Sequence, residues 1–180
     1  MDLRRPAAWL ACSLAALLLL WCPGPAAVLA LDTSQGVGLQ DRALFQDTVD
    51  YTLTNQSGKD FSGQKLVNTS FAGAVGKDAN FAGADLHGAI LTQGAFPGAN
   101  FNGADLSDVL MDRTDMTNTD LRGALLIGVI ASGSSFSGAQ VENADFSDAL
   151  LDRDDQRRLC ARASGTNPVT GISTRASLGC

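Results

Sequence analysis

Few side chains in this sequence can do chemistry. The 180-residue chain has one histidine, His87, and four cysteines, Cys12, Cys22, Cys160 and Cys180. A lone histidine with no Cys or His partners at ligand spacing makes neither a metal site nor a catalytic base. Serines and threonines are common, but none has a base near it in sequence. The glycines recur at a fixed period and form no loop that could cradle a phosphate. No catalytic residue, no metal and no cofactor is therefore expected, and the chain is read as non-enzymatic. The surface must act by binding.

The cysteines offer the one covalent step. Cys12 and Cys22 fall in an N-terminal targeting segment. MDLRR supplies its positive end, Ala7 to Trp21 its apolar stretch, and Val28 and Ala30 the small residues of a cleavage site. The apolar run is short beside the ~20 residues a membrane span needs. Residues 1–30 are expected to be a removed signal peptide, with a retained N-terminal anchor as the alternative. Removal leaves Cys160 and Cys180. An even count in an exported chain predicts a disulfide between them; two free thiols are the alternative.

The elements that position these residues follow a period of five. Stepping from Phe61 to Leu151, nineteen successive centres fall in phase with no insertion or deletion, and seventeen are large and apolar; Gly76 and Ala131 are the small ones. Neither a helical period of 3.6 nor a strand period of 2 produces this. The position two before each centre is small, most often Ala. The position two after is Gly at ten units and Asn or Asp at six, residues that tolerate the backbone angles of tight corners. A fixed short period marks a solenoid whose units bury their apolar side by stacking on one another.

FAGADLHGAILTQGAFPGANFNGADL carries the pattern most clearly, and it resembles the pentapeptide-repeat family. The resemblance implies an all-β solenoid: a right-handed quadrilateral parallel β-helix of nearly five coils over residues 59–153, four units per coil. Residues twenty apart then stack, which places Phe61, Phe81 and Phe101 in one core ladder and Leu66, Leu86 and Leu106 in another. Local repacking, or a cap side chain reaching in, is expected at Gly76 and Ala131. DRDDQRRLCARA reads as a short helix, with Asp152 or Asp154 near its start and Arg158 and Arg162 toward its end. With the disulfide it makes a fastened C-terminal cap over residues 154–180. Residues 31–58 are assigned to an N-terminal segment and cap. Within them LQDRALF could form a helical turn or two, TVDYTLT alternates like a strand, and Tyr51 and Gln56 sit in the five-residue phase, so that the first coil could start near residue 50. The tail CARASGTNPVTGISTRASLGC is similar to the endings of pentapeptide proteins of the cyanobacterial and chloroplast thylakoid lumen. That similarity implies export to the lumen or the periplasm. The simple signal, with no long transit peptide ahead of it, favours a cyanobacterial source.

The outward positions just before each centre form columns. One reads Asp60, Asn80, Asn100, Asp120, Gln140, and the next Lys65, Asp85, Asp105, Leu125, Asp145. A third reads Ser70, Ile90, Leu110, Ile130, Leu150. Four stacked aliphatics on a face that should meet solvent point to a contact surface. Ile90, Leu110, Ile130 and Leu150 are thus the candidate interaction face for a protein partner or a second copy. The alternative is that residues 31–58 or a terminal cap fold along it. Some family members mimic DNA and protect a topoisomerase, which is the competing function. Export argues against it. So does the repeat itself, where twelve acidic residues are offset by six Lys or Arg and one side is apolar. The acidic balance, with a net charge of −6, likewise predicts no binding to nucleic-acid phosphates.

Overall fold

A computed structural model describes residues 49–180, which belong to one compact unit, Arg42–Cys180. The signal peptide assigned to 1–30, with Cys12 and Cys22, lies outside the described residues, as does the helix read at LQDRALF.

Every coil closes in twenty residues. Parallel bridges join Asp50 to Ser70, Asn55 to Val75, Asp60 to Asn80 and Lys65 to Asp85, and the same four series continue to Leu150. Each bridge is a single residue pair, so the sides are short strand contacts rather than long strands. Within a unit the centre donates its N–H to the coil above, as Phe61 N does to Asn80 O at 2.7 Å, and the corner closes with Gln64 N on Phe61 O at 3.1 Å. The backbone polar groups of these units are paired along the axis and across the corners, which lets both faces of each side carry side chains freely.

The corners explain the glycines. Every fifth residue from Leu53 to Asp148 has a positive φ, between 54° and 74°. Gly fits there at no steric cost, and Asn and Asp tolerate it. Leu53, Gln93 and Arg113 occupy the same conformation without those advantages. A second rule appears between coils. A Cβ placed on Gly88, Gly98, Gly128 or Gly138 would lie 2.4, 2.4, 2.6 or 2.1 Å from the Oδ1 of Asn68, Asp78, Asp108 or Asn118 one coil earlier. A corner Asn or Asp therefore demands glycine twenty residues on. Gly83 and Gly103, which follow glycine corners, would meet nothing within 4 Å.

The core is the stack of centres. Phe61, Phe81 and Phe101 lie face to face, with centroids 4.9 and 4.8 Å apart and interplanar angles of 8° and 2°. That separation is the strand spacing of a parallel ladder. The gap left by Gly76 is filled from within the same ladder: Phe96 Cδ1 lies 2.4 Å from where a Gly76 Cβ would be, and its Cε2 2.5 Å from a Cβ on Gly94. Repacking, not a cap, fills this gap.

The coil begins at Asp50, ahead of the boundary at Lys59 and where the five-residue phase of Tyr51 and Gln56 puts its start. Tyr51 stacks on Phe71 at 4.7 Å, and Leu53 and Gly58 take corner conformations. TVDYTLT is accordingly no strand. Its five-residue phase overrides the alternation, turning Tyr51 inward and leaving Leu53 at an exposed corner. Beyond the last coil, α1 spans Arg153–Cys160 and α2 spans Thr174–Ser177. Helix α1 ends before Arg162, which lies past its C-cap at Ala161. Asp152 is its N-cap residue but makes no side-chain cap; its carboxylate instead accepts from Gly133 N at 2.8 Å. Leu159, Ala163 and Leu178 join the core cluster and cover the apolar end of the stack. Cys160 and Cys180 are bonded across a separation of 20 residues.

Candidate functional site

The outward columns divide by what their side chains do for the backbone. On three sides the residue before the centre is often Asp or Asn, and its Oδ1 accepts the N–H two residues on. Asp85 does this for His87, Asn100 for Asn102, Asp105 for Ser107, Asp115 for Thr117 and Asp120 for Arg122. These are Asx turns, which hold the corner with a side-chain acceptor. Asp60 and Asn80 add a ladder along the axis, Asn80 Nδ2 donating to Asp60 Oδ1 at 2.9 Å, and Asn100 repeats the contact on Asn80 at 3.0 Å. The N–H of Ser62 beside Asp60 holds its carboxyl below the usual carboxylate range. The side chain of Arg122 does the same for Asp120, at 2.6 Å. Much of the acidity of the rod is thus corner chemistry.

On the fourth side the device stops after the first coil, where Asp50 accepts from Thr52 N at 2.8 Å. Ser70, Ile90, Leu110, Ile130 and Leu150 are bridged in series, and the four aliphatics offer no acceptor to the corners that follow. Leu110 is 37% exposed and Leu150 59%, while Ile90 and Ile130 are half-buried. All four are brought onto one side, as the spacing implies. Asp50 stands at the foot of the same column, so residues 50–58 are part of the first coil. The cap sits on the end of the stack, and Leu150 beside it stays open.

Sequence reading missed two neighbours of this stripe. Leu125 and Ile127 are both half-exposed and extend the apolar surface around the Gly128 corner onto the adjoining side. The run LLIGVI was the available signal, since three of its aliphatics fall at outward positions of the five-residue phase. Also missed was Asn167, fully buried. Its Nδ2 donates to Asn143 O at 2.9 Å and Gly123 O at 3.3 Å, and its Oδ1 accepts from Val169 N at 2.9 Å. One amide thereby ties the tail to two coils. Nothing in the period of five reaches that residue.

His87 is exposed, with Nε2 4.0 Å from Asp108 Oδ2. Among the described residues no group of His, Cys, Asp and Glu is placed to hold a metal ion, and no helix is long and apolar enough to cross a membrane. A cavity of about 80 Å³ lies between the last coil and the cap, lined by Phe146, Leu151, Gln156 and Leu178 among others. It is far below the size of an ordinary ligand pocket.

The family model described as pentapeptide repeats matches eight copies, over residues 60–93, 96–126 and 114–153. The chain belongs to the pentapeptide-repeat family. A solved pentapeptide repeat protein from the thylakoid lumen of Arabidopsis thaliana is 37% identical, with a TM-score of 0.71, over 72% of this chain and 90% of that one. A pentapeptide repeat protein of the cyanobacterium Cyanothece 51142 is 14% identical, with a TM-score of 0.45, over 58% of this chain and 88% of that one. QnrB1, a plasmid-mediated fluoroquinolone resistance protein, is 13% identical with a TM-score of 0.25, over 64% of this chain and 85% of that one. No curated protein sequence matches the chain.

Proposed function

We propose that this chain is a non-enzymatic, exported pentapeptide-repeat protein that acts by binding another protein in the thylakoid lumen or periplasm, through the Ile90–Leu110–Ile130–Leu150 side. The reading includes a right-handed coil sense, a cleaved signal over residues 1–30 and a disulfide that fastens the cap in an oxidising compartment. One observation carries it. On the other sides the position before the centre repeatedly supplies an Asx acceptor, whereas on this side it supplies four stacked aliphatics that do nothing for the corners. A solvent-facing position that forgoes a useful polar residue for an apolar one is explained by a contact. The lumen assignment draws on the origin of the 37%-identical Arabidopsis protein and on the similarity of the tail.

The test is affinity capture from separated membrane and soluble fractions, with the disulfide intact, comparing wild type with a Leu110→Glu/Ile130→Glu variant. A complex held by wild type and lost by the folded variant supports the proposal. A complex held equally by both places the contact elsewhere, and recovery from cytoplasm alone ends the exported reading.

A further inference from the structure

The aliphatic side has two unlike edges. The corner before it carries Asp108 and Asp148; the corner after it carries Arg113, and Arg153 follows Leu150 at the same three-residue offset as the first residue of α1; all four are exposed. Asp108 and Arg113 belong to one coil; Asp148 lies two coils later, and Arg153, forty residues after Arg113, opens α1 just past the last coil. Neither arginine takes part in an ion pair among the described residues, and neither does Asp148. Asp112 and Asp152 share the second edge with the arginines: Asp112 is half-buried, and Asp152 is exposed and also accepts from Gly133 N. The side is therefore an aliphatic stripe with an acidic margin on one flank and, on the other, arginines alternating with aspartates.

That arrangement favours one orientation of self-pairing. We propose that this side pairs with the same side of a second copy of this chain, the two rods lying parallel about a two-fold axis that runs along them. Such an axis carries each flank onto the opposite flank of the partner at equal height. Asp108 then faces Arg113 of the second copy, Asp148 faces Arg153, and Leu110 and Ile130 meet their own counterparts on the axis, an isologous contact. A two-fold axis across the rods would set Asp108 against Asp148 with no cation on that flank, so the acidic margins disfavour it. The outcome does not depend on the hand of the coil. The stripe spans four coils, about 15 Å between its outer residues. That is well short of a standard interface, so the dimer is weak and reversible, with a dissociation constant expected between about 1 µM and about 1 mM. The inference rests on the binding reading above and deepens it by naming the partner.

Sedimentation velocity of the full chain from about 1 µM to about 1 mM brackets that affinity. Wild type should pass from monomer to dimer across this range, and raised salt should weaken the dimer. Asp108→Arg with Asp148→Arg, and separately Arg113→Asp with Arg153→Asp, should each weaken association at least about tenfold by opposing like charges. All four exchanges together should restore it. If a charge reversal does not fold, Asp108→Asn with Asp148→Asn replaces it and should weaken association without reversing the margin. Wild type that stays monomeric throughout overturns the inference, as does a dimer indifferent to the charges or one not restored by the full exchange. Wild type that captures a foreign partner through Leu110 yet remains monomeric sinks only the dimer. Failure of both experiments sinks the binding reading as well.

Discussion

Replacing Leu110 and Ile130 together by Asn separates a binding face from a hidden core. Fully burying a leucine is worth about 1.5–3 kcal/mol. Leu110 keeps 37% of its surface, so its packing on the neighbouring coils contributes roughly 1–2 kcal/mol. Asn at either position can form the Asx turn of the other sides, accepting from Asp112 N or Ser132 N, and each such exposed hydrogen bond returns about 0.5–1 kcal/mol. The net loss for the pair is then on the order of 1–2 kcal/mol, within reach of an ordinary folded domain. Were the stripe enclosed by another part of the chain, each substitution would remove buried aliphatic volume and strand an amide, at about 3 kcal/mol or more apiece. Urea unfolding followed by circular dichroism gives the difference. A loss under about 2 kcal/mol with an unchanged m-value supports an open face. A loss above about 5 kcal/mol, or a chain that does not fold, refutes the reasoning.

Three further outcomes follow from the coil and the cap. Gly138→Ala should cost at least ~1 kcal/mol more than Gly83→Ala, because both take the left-handed penalty but only the first drives a Cβ into Asn118; equal midpoints in urea would discard the rule of glycine above Asx. Asn167→Ala should cost about 2–4 kcal/mol by leaving buried carbonyls of the last coils without their donor, and hydrogen exchange should rise across 161–180 while the coil stays protected. Acid should destabilise the rod: the carboxyls of Asp60 and Asp120 are held below their usual range by Ser62 and Arg122. Their folded pKa values lie below the unfolded ones, so the stability they add is present above about pH 4 and is lost as pH falls through the folded values. Melting temperatures should be level near neutrality and drop below that point, and Asp120→Asn should flatten the drop.

The coil was legible because one constraint repeats. Each unit needs an inward apolar pair and a left-handed corner, and Phe61, Ala79 or Gly83 satisfies it independently of its neighbours. The start of the coil was harder to read. Tyr51 and Gln56 hold the phase, but Gln56 is a polar centre and Leu53 an exposed aliphatic at a corner, so the local composition points away from the repeat. The stripe at Ile90–Leu150 could be placed from spacing alone, since residues twenty apart must stack. Its significance became clear only when Asp105, Asp115 and Asp120 were seen capping their own turns, which shows what the aliphatic positions forgo. Asn167 and the Asp152–Gly133 contact were not legible. They join segments by tertiary hydrogen bonds that follow no period.

A photoreactive amino acid placed at position 110, with a second protein carrying it at position 85, tests the central claim most directly. Both positions sit just before a centre and face outward, but one lies on the aliphatic side and the other on an Asx side. Irradiation in the compartment where the chain resides should give discrete protein adducts, foreign or to a second copy, from position 110 and none from position 85. Adducts from 85 alone, equal adducts from both, or only intrachain products from 110 would contradict the account.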